Sequence, residues 1–207
     1  MFSINWLSSM LGFMFIPLYY WLIPSRWSWL WINTLMILNQ EFKTMNYLYK
    51  GNSLIFISMM TFILFNNILG LFPYIFTSSS HMSMSLSLSL PIWFSFILIG
   101  WLKTPINMMA HFVPFGTPTI LMPMLVMVEL ISNLIRPGTL AIRLTANMMA
   151  GHLILTLLGN MNNYISFYLI IMLLILQIMF MVLEMSVAFI QSYVFSMLSS
   201  IYFKEMI

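Results

Sequence analysis

No Asp, Glu, Lys or Arg interrupts the chain between Lys50 and Lys103, and none occurs between Arg143 and Glu184. Stretches like these cannot form a water-soluble domain, whose outer surface needs polar cover. Soluble domains carry about a quarter charged residues, against 5% of the 207 residues here. Lipid must therefore replace water over most of the surface. Hydrophobic residues make up 62% of the chain and mean hydropathy is +1.00. At roughly 20 apolar residues per crossing, five or six helical segments fit, all in one membrane domain. The expected class is all-α integral membrane, because a backbone in hydrocarbon must satisfy its own hydrogen bonds.

A first span is expected over 7–24, ending at Pro24-Ser25-Arg26. Three Trp follow at 27, 29 and 31, before Glu41, Lys43 and Lys50. Trp near charge suits the headgroup region, so 27–46 reads as an interfacial amphipathic helix. Further spans are expected at 54–74 and 91–112. Between them Ser83, Ser85, Ser87 and Ser89 alternate with Met84, Leu86, Leu88 and Leu90, a strand-like period. A lone strand has no partner in lipid, so this run is assigned to a loop. Residues 113–118 read as a turn. The last two segments, 119–158 and 163–203, would each be about 60 Å long, twice the ~30 Å hydrocarbon thickness. They are expected to form a long tilted hairpin, with Pro137-Gly138 a candidate break. Five membrane helices plus the interfacial one result. The positive-inside tendency puts Arg26, Lys43, Lys50 and Lys204 on the matrix or cytoplasmic side, with Lys103 fitting less neatly.

Five ionisable groups lie deep in apolar sequence: Glu129, Arg136, Arg143, His152 and Glu184. Such groups are expensive in a bilayer and face a bundle interior or an aqueous cavity. Glu129, Arg136 and Arg143 recur every seven residues, which on a helix drifts only ~20° per step. They make one polar stripe. His152, nine residues beyond Arg143, is half a turn out of phase at ~100° per residue and should face a neighbouring helix. Gln177, Glu184 and Gln191 form a second heptad stripe. Two antiparallel helices so striped can enclose a hydrated path, and Ala141, Ala146, Ala150 and Gly151 permit close helix approach. Arg136 has a structural reading as well, bonding carbonyls freed by Pro137 or pairing with Glu129.

The run from Glu129 through Arg136-Pro137-Gly138 and Arg143-Leu-Thr-Ala-Asn147 to Gly151-His152 resembles subunit a of the F-type ATP synthases, in its mitochondrial form. Asn67-Ile-Leu-Gly-Leu-Phe-Pro-Tyr74 and Leu183-Glu184 through Gln191-Ser-Tyr-Val-Phe195 resemble two further blocks of that family. The resemblance covers about residues 66–203, and the N-terminal quarter matches mainly in hydropathy. It implies a multi-pass protein of the mitochondrial inner membrane. Arg143 would be the stator arginine facing a ring of small rotor subunits, each with one membrane carboxylate. His152 and Glu184 would line one proton half-channel, Glu129 the other, with Asn147 and Gln191 facing the rotor near Arg143. Other stator and peripheral-stalk subunits would be partners, and the chain alone would perform no ATP chemistry. The physics fits these roles, since Arg keeps its proton and so cannot relay one, whereas His and Glu can.

The 23 Met and 18 Phe fit the coding bias of organelle-encoded membrane proteins, and no removable signal or transit peptide is expected. With no Cys, disulfides and thiolate metal sites are ruled out. Neither a nucleic-acid footprint nor a phosphate loop is present. Three His in unrelated segments do not assemble a metal or haem site, so no cofactor is expected; His81 and His111 sit near expected loops and read as ordinary. Two competing functions remain. A subunit of a redox-driven proton-pumping respiratory complex would spread titratable relays over several spans. A membrane anchor would leave both polar stripes without a purpose.

Overall fold

A computed structural model describes residues 5–17, 23–45, 51–113, 118, 120–161 and 167–206. Residues 18–22 of the first expected span, Lys50, the turn residues 114–117 and the break at 162–163 lie outside them, as does the side chain of His111. The regular secondary structure of the described residues is all helical: a 3-10 segment Asn5–Phe15, then α1 Arg26–Met45, α2 Asn52–Gly70, a 3-10 turn Ser78–Ser80, α3 Met82–Lys103, α4 Pro105–His111, α5 Met122–Met161 and α6 Phe167–Met206. Four helices are long and apolar enough to cross a membrane, namely α2, α3, α5 and α6. The segment expected as a span at 7–24 contributes only 11 described helical residues. α1 is amphipathic, with Lys43 in its last turn, and is not among the four.

The Ser-Leu alternation at 83–90 is helical, not a loop, and it opens α3 at Met82. The hydroxyls explain why. Ser85 donates to the Met82 carbonyl at 3.1 Å and Ser87 to the Met84 carbonyl at 2.7 Å. Bonded one turn back, a serine adds little polarity to a helix surface, whereas a loop in lipid would leave its backbone unsatisfied. The expected span 91–112 is accordingly shifted to 82–103, with Pro91 inside it. Pro137 likewise sits within α5 without ending it.

Two clusters hold the bundle. Phe42, Phe56, Phe96 and Phe203 join α1, α2, α3 and α6 at one end, with Phe96 and Phe203 meeting edge-on at 5.0 Å. Nearer the middle, Ile63, Leu140, Leu144 and Phe195 join α2, α5 and α6. α6 packs against α2 and buries Ser192, Ser196, Ser199 and Ser200 within the bundle. Each hydroxyl there donates to the carbonyl three residues back at 2.8–2.9 Å, so a face of small residues packs closely with its polar atoms satisfied. The chain turns after α2 at Pro73-Tyr74, where Tyr74 has φ 71° and a fully exposed ring. His81 stacks on Phe76 at 4.9 Å and neighbours Trp6 at 5.6 Å, tying the 3-10 segment to this turn.

Candidate functional site

α5 and α6 are single helices of 40 residues each and pack against one another. Their antiparallel register can be followed along the hairpin. The Arg136 guanidinium lies 5.1 Å from the centre of the Tyr202 ring. Asn147 Nδ2 donates to Gln191 Oε1 at 3.0 Å. The Glu184 side chain rests against Gly151, and Gln177 Nε2 approaches Gly159. The stripe Gln177, Glu184, Gln191 therefore shares one face, as its heptad spacing predicts, and that face is turned toward α5. It meets small or amide residues beyond Arg143, however, and not the Glu129–Arg136–Arg143 stripe. The two stripes are offset along the hairpin because Arg136 is matched to Tyr202, near the last turn of α6.

The residues of the first stripe stand in different surroundings. Glu129 is half-buried in the early turns of α5. Arg136 is half-buried beside Trp93, Pro137 and Ser199 in a small cavity, under the Tyr202 ring, which favours its structural reading. Arg143 is exposed and makes no hydrogen bond or ion pair among the described residues. Its neighbours Ile142 and Ala146 are exposed as well. A cation at membrane depth costs about 3 kcal/mol even with snorkelling, so an Arg presented outward from an apolar bundle calls for an opposite charge supplied from outside the chain.

One turn on from Arg143, Asn147 is exposed while its partner Gln191 is only 6% exposed. In the isolated chain, then, Asn147 alone of this pair is presented outward. Gln191 is covered by α5 because its amide is used in the interhelical bond. Beyond the pair, a cavity of about 280 Å³ opens between the helices, lined by Asn147, Ala150, Gly151, Phe180, Glu184 and Val187, among others. Asn147 and Ala150 lie within ~40° of Arg143 around α5 at ~100° per residue. The cavity thus continues the face that carries the arginine.

Glu184 is 5% exposed, and neither carboxylate oxygen has a hydrogen-bond partner among the described residues. His152 is half-buried, with its buried Nε2 also unpartnered. It follows Ala141, Leu144, Thr145 and Met148, the buried face of α5, and so points away from Arg143. Buried polar atoms are paired in the great majority of cases, with protein or with ordered water. Glu184 of α6 and His152 of α5 thus each carry a polar group unpartnered among the described residues, the glutamate resting against Gly151, the residue before His152.

The ATP synthase A chain family matches residues 2–204. The chain is 56% identical to ATP synthase subunit a of Drosophila melanogaster over 206 residues, covering 99% of this chain and 92% of that one. Identity to subunit a of Anopheles gambiae is 55%, over 98% and 91% of the two chains. For Aedes aegypti it is 53%, with the same coverage. The chain belongs to the ATP synthase A chain family. That is the family of the proton-translocating stator subunit, and no observation favours the respiratory-complex alternative. Membership also makes other ATP synthase subunits its partners, and the apolar helices make it a multi-pass membrane protein.

Periodicity found both stripes and the phase of His152. It did not find that Glu184 sits against Gly151, or that Tyr202 covers Arg136. The only prior signal for the first was Gly151 as a small residue within a polar stretch.

Proposed function

We propose that this chain works in the mitochondrial inner membrane and offers two offset half-channels to a ring of small subunits, each bearing one membrane carboxylate. The observation that carries this reading is Arg143: exposed, unpaired among the described residues and continuous with the Asn147–Glu184 cavity. Protons reach the ring through His152 and Glu184 and leave through the side of Glu129. A rotor carboxylate takes a proton at the cavity, becomes neutral and can enter lipid. After the ring turns, it releases the proton toward Glu129. Between the two paths the carboxylate is ionised and passes Arg143, whose fixed charge holds it in that form and bars a direct leak. Asn147 flanks this passage, with Gln191 supporting it from behind. Peripheral-stalk subunits hold the chain against the turning ring.

Arg143→Ala tests the reading in the assembled complex reconstituted in vesicles. ATP-driven proton pumping should fall to background while passive proton leak rises. Pumping retained at the wild-type rate would remove Arg143 from the pathway.

A further inference from the structure

Gly151 occupies a particular place on α5. At ~100° per residue it lies about 80° around the helix from Arg143, whereas His152 lies about 180° away. It therefore stands at the boundary between the face carrying Arg143 and the face carrying His152. A Cβ built at Gly151 would fall on Glu184 Oε1, with Glu184 Cδ at 2.5 Å and Cγ at 3.0 Å. The missing side chain is thus filled by the end of the glutamate. Glu184 is nearly fully buried there, with both oxygens unpartnered among the described residues. Glu184 is also one of the residues lining the 280 Å³ cavity that runs on toward Asn147.

We propose that Gly151 is a positioning residue, a notch in α5 that seats the Glu184 carboxylate where both the His152 face and the cavity on the Arg143 side can reach it. This rests on the reading of Glu184 as a half-channel group. A proton arriving from the His152 side binds one carboxylate oxygen. It leaves from the carboxyl group into the cavity, without having to pass around α5. Any side chain at 151 pushes the carboxylate out of the notch and breaks the shared access. The displaced atoms are the far end of a flexible side chain, so helix packing itself need not fail.

The test uses the full complex in vesicles and compares Gly151→Ala, Glu184→Asp, their combination and Glu184→Gln. Gly151→Ala should stay assembled yet lose at least about tenfold in ATP-driven pumping, since a misplacement of ~1 Å can cost about 100-fold. Glu184→Asp withdraws the carboxylate by one methylene and makes room for a Cβ. The double variant should accordingly pump faster than Gly151→Ala alone and approach Glu184→Asp. A structural role alone predicts no such rescue. Gly159→Ala, whose Cβ would sit an ordinary 3.9 Å from Gln177 Nε2, is the control and should pump normally. Unchanged pumping in Gly151→Ala, no gain in the double variant, or loss of the subunit from the complex in both would overturn the notch. If Glu184→Gln pumps normally, the half-channel reading of Glu184 fails and the notch with it. If Glu184→Gln stops pumping while Gly151→Ala does not slow it, the notch alone fails.

Discussion

Removing one partner of a buried hydrogen bond costs more than removing both, because the survivor is left desolvated and unpaired. The Asn147–Gln191 hydrogen bond links the side chains of α5 and α6, and its Gln191 end is buried. Asn147→Leu should therefore destabilise the subunit by about 1–3 kcal/mol, read as a lower melting temperature of the purified complex. Asn147→Leu combined with Gln191→Leu should recover part of that loss, since both ends are then apolar. Additive losses in the double variant would show that the bond contributes nothing to the hairpin. At this scale, the identity of the buried ionisable groups was legible from their depth in apolar sequence. The partner of each was not. Which α5 residue meets Glu184 depends on the axial register of two helices, and heptad spacing specifies a face without specifying a register. Arg136 illustrates the point. Its spacing joins it to Arg143, yet Tyr202 from the other helix gives it a different environment.

For whole elements, what decides the outcome is where the backbone's hydrogen bonds can go. Period-two alternation at 83–90 suggests a strand, but in lipid a helix satisfies every peptide group within itself. Serine then costs little once its hydroxyl is bonded to a carbonyl one turn back. The same rule explains why Pro91 and Pro137 remain inside helices: there is no water to stabilise a broken turn. Helix continuity in 119–158 and 163–203 was legible because few breakers interrupt them. The Ser-Leu run was not, because amphipathic period and lipid immersion point to different structures. Serines on α6 supply a test of close packing. Ser196 is fully buried on a helix that packs against α2, so Ser196→Leu inserts volume where none is free. Overpacking of this kind costs about 1–3 kcal/mol. Ser186→Leu, on an exposed part of the same helix, should leave melting of the complex unchanged. Equal melting of the two variants would mean that α6 does not pack closely against its neighbours at Ser196.

On the scale of the whole molecule, lengths conflict with one another. At ~1.5 Å per residue, α2 and α3, with 19 and 22 residues, each match a ~30 Å hydrocarbon layer when nearly upright. α5 and α6, with 40 residues each, reach about 60 Å. Upright, the long pair would push about half its length into water, yet Ile131 and Leu157 on α5 and Met172 and Ile175 on α6 are all exposed apolar groups. Exposing so many in water is strongly unfavourable, at about 25 cal/mol per Å². Lying steeply tilted removes the conflict and carries the face bearing Arg143 along the membrane instead of through it. A stator lying along the membrane can touch a ring over an extended line, which two half-channels at different depths require. Spin labels at Ile131 and Leu157 decide the matter. The labels are separated by about 39 Å along an ideal helix, more than the layer is thick. In the tilted arrangement both should be accessible to lipid-dissolved oxygen and shielded from a water-soluble nickel reagent. An upright helix cannot bury both, so strong nickel access at either site would exclude the tilt and with it a stator face laid along the membrane.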